Sequence, residues 1–382
     1  MKMPLDPAAA AQIVIWGGLL LGLLFGAIGQ FSRFCIRGAI ADWVTFRGPA
    51  RLLSWMLAVA VAAAGVQALI ALQLFDAGRS VLWSPSFLWL SYLAGGAVFG
   101  FGMVLSGGCP QRSLVKAGSG DLKAVVTLVV TAIAALMTLR GAFAGLRVNL
   151  LDAWRVQLAT PQDIGSLAAA ALPLPAELLR WAVVVALLST AGWAAWRHRH
   201  QMEPSHWFGG ILVGLLVPLA FLLTGYIGFI PEHPETLEPA WMGTQSRRPE
   251  GLSFAAPLGH SLDLLTLWSD KATIASFGVM LTLGVLLGSF ATAKARHDFR
   301  VQSFRTPREL TSHLAGSVLM GVGGVTAMGC SVGNGLTGLA MLSGGALLAV
   351  AGIVAGAVAA LHLQRRQMEK AEMEPSLSKA AT

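Results

Sequence analysis

The chain is expected to be an all-α polytopic membrane protein, and three observations point there. It is 55% apolar, with only 12% of its residues charged and a mean hydropathy of +0.66, a balance far from that of a soluble domain. Its apolar residues fall in runs long enough to cross a bilayer core of roughly 30 Å, which takes about 20 helical residues. Its basic side chains gather in the short connections between those runs, as the positive-inside rule anticipates. That distribution accounts for the net charge of +8 without a nucleic-acid partner.

Nine spans follow in order. Residues 11–29 open after a nearly uncharged start and lack a small-residue cleavage site, so they read as a first span and not as a signal peptide. The others cover residues 51–74, 87–105, 121–140, 177–196, 207–230, 272–293, 310–328 and 337–361. With the N-terminus outside, the inner segments hold 18 Lys and Arg and the outer ones 9, so the expected placement in the cell inner (cytoplasmic) membrane is N-terminus outside and C-terminus cytoplasmic. The outer segment 231–270 is instead acid-rich, with Glu232, Glu235, Glu238 and Glu250. A single transport domain over 1–362 is followed by a short charged tail, 363–382. The long connections 140–177 and 231–270 read equally as caps over the outer mouth, as simple packing segments or as disordered linkers.

An internal repeat organises the spans. Gly17–Leu24 reads GGLLLGLL and Gly209–Leu216 reads GGILVGLL, opening the first and sixth spans. Gly95, Gly100, Gly102, Gly108 and Cys109 recur at the same spacing as Gly316, Gly321, Gly323, Gly329 and Cys330. Repeat one is then about 11–140, the linker helix about 177–196 and repeat two about 207–361. An odd linker inverts the second copy, so equivalent breaks enter from opposite faces. Glycine in a membrane helix also serves close packing, but packing alone leaves the cysteine that ends both patterns unexplained.

The cysteines sit in helix-breaking sequence. SGGCPQRS (Ser106–Ser113) and MGCSVGNG (Met328–Gly335) interrupt spans with Pro110, Gly333 and Gly335, and QFSRFCIRGAIADWVT (Gln30–Thr45) is too short to span. Non-helical backbone at membrane depth survives only inside protein or beside water, which makes these breaks candidate permeation sites. The stretch 244–265 should be the fourth such inward loop. Three cysteines without a CxxC pair cannot all bridge one another and read as free thiols. A lone membrane cysteine is usually a small buried apolar group; three in three breaks point to S–H donors for an anion with a soft sulfur. Arg33, Arg37, Arg112 and Lys116, or half-helix N-termini, supply the positive potential, although the same side chains also serve as interfacial anchors. A file of weak donors binds enough to admit an ion and too little to trap it.

The segments GQFSRFCIRG around Cys35, GFGMVLSGGCPQRSLVKAGSGD around Cys109 and GVGGVTAMGCSVGNGLTG around Cys330 resemble the YeeE/YedE family of sulfur-transport membrane proteins. The resemblance implies a nine-span protein with short helices dipping in from both faces, which takes up thiosulfate or a related sulfur anion along three cysteines, here Cys35, Cys109 and Cys330. It also implies coupling to a small cytosolic TusA-like sulfur carrier, of which no domain is visible in the chain. Gln30, Arg112 and Asn334 are the expected polar neighbours, and Gly108, Gly329 and Gly333 the positions of close backbone approach. Other cargoes, sulfur or selenium species, fit the same motifs. A different class of function, a membrane-embedded sulfurtransferase or thiol oxidoreductase, would want a lowered thiol pKa and favours Cys35 between Arg33 and Arg37. No nucleotide-binding loop is apparent, and no cofactor or metal is expected.

Overall fold

The structure, a computed structural model, describes residues 6–233, 236–270 and 274–380; Glu235 of the acidic segment and the last two residues of the tail lie outside that range. The first group of helices is α1 (Pro7–Ser32), short α2 (Ile36–Ala41) continued by a wide turn over Asp42–Phe46, α3 (Ala50–Ala71), α4 (Trp89–Leu105), short α5 (Pro110–Gly118) and α6 (Leu122–Arg140). A connection carrying α7 (Ala144–Leu146) and α8 (Ile164–Ala169) leads to α9 (Ala176–Arg197). The second group is α10 (Pro204–Phe221), α11 (Ala255–Thr266), α12 (Phe277–Ala295), α13 (Pro307–Thr326), a wide turn over Gly333–Gly338, and α14 (Gly344–Ala380). The only strands among the described residues are two-residue pairs in the connections. The chain is an all-α polytopic membrane protein.

Long helices stand at all nine predicted spans, and eight helical stretches among the described residues are long and apolar enough to cross a membrane. The exception is α13, whose first turns carry Arg308, Glu309, Thr311, Ser312 and His313. It is enclosed by α4 and α6, so those polar groups find protein partners: the Lys123 ammonium pairs with Glu309 at 2.9 Å, and Thr127 meets the His313 ring at 3.2 Å. The last span also differs from expectation. It starts at Gly344 because the wide turn and a left-handed Leu342 (φ 53°) occupy the residues before it, and it runs helical to Ala380 through the tail.

Glycines decide which helices lie together. Along α1 and α12, Gly22 faces the Leu281 carbonyl, Gly26 the Val285 carbonyl and Gly288 the Leu23 carbonyl, so the two run parallel at backbone contact. The same holds for α10 with α3 (Gly210 at Ser54, Gly214 at Ala58), and for α4 with α14 (Gly96 at Ala349, Gly100 at Ile353). Without side chains between them, membrane helices gain dispersion contacts over their whole length. Helices α4 and α13 instead cross antiparallel, with Gly95 against Gly323 and Gly102 against Gly316. Exchanging the first group of helices for the second maps each pairing onto another: α1 with α12 onto α10 with α3, and α4 with α14 onto α13 with α6.

The long connections pack on the bundle. Residues 86–87 pair with 156–157, and the Ser91 hydroxyl donates to Asp152 at 2.7 Å. Asp163, fully buried, caps α8 and accepts from Arg180 at 2.7 Å, while the guanidinium lies 4.3 Å over the Trp83 ring.

This packing predicts a contrast. A Cβ on Gly22 would stand 2.2 Å from the Leu281 carbonyl oxygen, whereas one on Gly192 meets nothing within 4 Å. Gly22→Leu should lose about 1–3 kcal/mol of stability, the range for overpacking, seen as a lower melting temperature in detergent, and Gly192→Leu should melt like the wild type.

Candidate functional site

All three cysteines are free; Cys35 and Cys109 each begin a short helix, and Cys330 lies three residues before the wide turn over Gly333–Gly338. Cys35 is the N-cap of α2 and its Sγ accepts the Gly38 N–H at 3.4 Å. Cys330 precedes the wide turn and its Sγ accepts the Gly333 N–H, also at 3.4 Å. Cys109 is the N-cap of α5, which Pro110 opens at its first position; proline loses nothing there, because the first N–H of a helix has no partner to give up. The sequence reason is shared by the first two: a Cys-x-x-Gly spacing puts a glycine N–H three residues on, where an N-cap side chain accepts. Cys109 and Cys330 are 1% and 0% exposed and belong to one buried cluster, while Cys35 is partly exposed. Cys109 lies within electrostatic reach of both other thiols, beside Ser331.

Two cavities approach this cluster from opposite faces. Where α1 ends, a cavity of about 600 Å³ is lined by Cys35, Gln30 and Arg112 together with Arg33, Arg37, Arg51, Lys116, Arg296 and Arg300. Its one lining carboxylate, Asp298, is engaged by Arg296 at 3.5 Å. The expected cations thus converge on one mouth, joined by Arg51 from the first turn of α3 and by Arg296 and Arg300 from the segment after α12. On the face where α1 begins, a cavity of about 440 Å³ is lined by residues that include Arg140, Arg147, Glu250, His260, Gly329 and Gly333. Gly108 lines neither cavity.

The broken backbone between the cavities is held by side chains. Asn334, fully buried, donates both amide hydrogens, to the Ala327 and Gly329 carbonyls, at 2.9 Å each. It therefore has no donor left for an anion and braces the break. Lys116 donates to the Gly107 carbonyl at 2.9 Å, and Arg112 Nη1 reaches the Gly29 carbonyl at 3.5 Å. Gln30 accepts from Ser289 at 3.5 Å. Within SGGC the conformationally required glycine is Gly107, with φ of +75°; a Cβ on Gly108 would meet only ordinary contacts from 3.4 Å. Gly333 has no such room, since its Cβ would come 2.8 Å from Ser253 Oγ.

Two residues not singled out by the sequence reading stand at the cluster. Gln111 and Ser331 are 1% and 2% exposed; among the described residues the Gln111 Nε2 has no hydrogen-bond partner, and the Ser331 hydroxyl finds no nitrogen or oxygen but lies within hydrogen-bonding range of the Cys109 sulfur. Their signal in sequence is slight: each is a small or ordinary polar residue within two positions of a cysteine in a broken span.

The family model described as sulphur transport matches residues 31–359. Among curated proteins, the thiosulfate transporter TsuA of Escherichia coli (strain K12) is 30% identical over 342 residues, covering 86% of this chain and 89% of that protein. The thiosulfate transporter TsuA of Spirochaeta thermophila is 26% identical over 339 residues, covering 86% of this chain and 93% of that protein. The chain belongs to the sulphur transport (YeeE/YedE) family, and it is a membrane transporter and not an enzyme.

Exposure orders the thiols by reactivity. A membrane-impermeant maleimide should modify Cys35 from the face where α1 ends and leave Cys109 and Cys330 unmodified over the same period, as read by mass spectrometry of single-cysteine variants. A second prediction concerns pH. Burial pushes the Glu250 carboxyl up, opposed only in part by hydrogen bonds from Ser246 and Gln245. As pH falls it therefore gains its proton before an exposed glutamate does (about 4.3), and its repulsion of an anion in that cavity vanishes. Anion uptake should rise toward acid in the wild type relative to Glu250→Gln, whose uptake should lack this component.

Proposed function

We propose that this chain takes up thiosulfate, admitting the ion through the cavity where α1 begins and releasing it into the basic cavity where α1 ends. The single observation that carries the reading is the buried pair Cys109 and Cys330, the first with its neighbours Gly107 and Arg112 lining the basic cavity and the second with its neighbours Gly329 and Gly333 lining the cavity of the opposite face. The cysteines act as a relay of uncharged S–H groups. Each is a weak donor, so the ion steps from Cys330 and Cys109 to Cys35 without falling into a deep well. The seven basic side chains of the exit cavity then draw the anion forward. Both TsuA relatives carry thiosulfate transport in their names, and this favours thiosulfate over other sulfur or selenium species.

The same reading puts the first face outside and the basic face in the cytoplasm of a cell inner membrane, consistent with the concentration of Lys and Arg in those connections. It takes the two groups of helices as inverted copies around α9. Support comes from the antiparallel crossing of α4 and α13 through matched glycines. A TusA-like carrier would receive sulfur at the basic mouth.

The test is labelled-thiosulfate uptake in cells lacking other importers, at equal membrane expression. Cys109→Ala and Cys330→Ala should each cut uptake severalfold, each removing one of the few weak S–H contacts along the path, and Cys35→Ala should lower it too. Wild-type uptake in both buried-cysteine variants would refute the relay.

A further inference from the structure

We propose that Gln111 and Ser331 form the oxygen-binding half of the site: the Gln111 amide and the Ser331 hydroxyl donate to the oxygens of a tetrahedral sulfur oxyanion while the buried thiols face its sulfur. The inference rests on the thiosulfate reading above and assigns the other end of the ion. A donor buried at 1–2% exposure without a partner is rare in a native interior, because it has given up water for nothing. Here the Gln111 Nε2 is such a donor, tied to the thiol by a Cys109 S–H to Oε1 contact of 3.8 Å, and the Ser331 hydroxyl, whose one neighbour of hydrogen-bonding kind among the described residues is the soft Cys109 sulfur, stands on the same thiol as a second donor. That contact also orients the amide. With Oε1 accepting from the thiol, Nε2 is turned toward α1, where a Cβ on Gly29 would come within 3.3 Å of it. Gln111 further lies in the first turn of the nine-residue α5, where helix N–H groups have no intrahelical partner.

The chemistry matches an ion with two unlike ends. Its oxygens carry most of the charge and call for N–H and O–H donors, whereas its terminal sulfur is large and polarisable and suits weak S–H donors. Asn334 cannot supply the oxygen contacts, since both of its amide hydrogens are already given to carbonyls.

Thiosulfate uptake kinetics on wild type, Gln111→Met, Gln111→Glu, Ser331→Ala and Ser331→Thr test this. The expected result is a KM raised about tenfold, the worth of one hydrogen bond to a charged group, in Gln111→Met and in Ser331→Ala. Ser331→Thr, which keeps the hydroxyl, should stay near wild type. Gln111→Glu, which keeps the acceptor for Cys109 but places a carboxylate where the donor was, should abolish uptake. Melting temperature and membrane level check folding, and if Gln111→Met fails that check the Ser331 pair decides alone. Unchanged KM in Ser331→Ala and in any folded Gln111→Met overturns the assignment and leaves thiosulfate uptake standing; a wild type that takes up no thiosulfate overturns both.

Discussion

Backbone that leaves the helix inside a membrane bundle must find partners for its freed N–H and C=O groups within the protein. Much of this architecture answers that demand around residues 327–343. Asn334 takes the Ala327 and Gly329 carbonyls, Gln67 of α3 donates to Ala340 at 3.3 Å, and the Trp83 indole donates to Met341 at 2.8 Å. The Ile164 N–H reaches the Leu342 carbonyl at 2.9 Å, and the Gly344 N–H reaches Gln162 at 2.8 Å. The two long connections are thereby given a use. The connection 140–177 supplies Gln162 and Ile164, and the connection 231–270 packs on the turn through Thr337, whose hydroxyl donates to the Leu252 carbonyl at 2.8 Å.

The break that holds Cys109 is braced more simply. Lys116 and Arg112 reach carbonyls at Gly107 and Gly29, and the Ser106 hydroxyl bonds back to Gly102 and Gly108. Some of the cations that give the basic cavity its potential are also its structural ties, so charge and scaffold are not separable there. At Cys35 and Cys330 cysteine suits the position because its sulfur accepts the N–H of the glycine three residues on and still carries a proton of its own. A serine would cap as well but would hold an anion by a stronger, harder hydrogen bond.

The sequence made the helices legible because each span is a continuous apolar run, and it made the cysteine breaks legible because glycine and proline interrupt those runs. The repeated glycine spacing ending in Cys109 and Cys330 also marked the two segments that meet. What it left hidden is whatever depends on convergence. Arg51, Arg296 and Arg300 look like interfacial charges until α3 and the segment after α12 bring them to the mouth beside Cys35. Asn334 read as a site residue because polar side chains in broken spans usually serve one, yet the carbonyls it satisfies are visible only in three dimensions. The polar start of α13 is tolerable for the same reason: its partners come from α6.

The central claim is that an ion with a terminal sulfur passes between Cys109 and Cys330. Selenosulfate, thiosulfate with selenium in place of that sulfur, allows a direct reading by anomalous diffraction from crystals soaked with it. The account predicts a selenium peak between the two buried thiols, within contact distance of at least one. A peak confined to the basic mouth or the lipid-facing surface, with the buried thiols bare at saturating concentration, would contradict it.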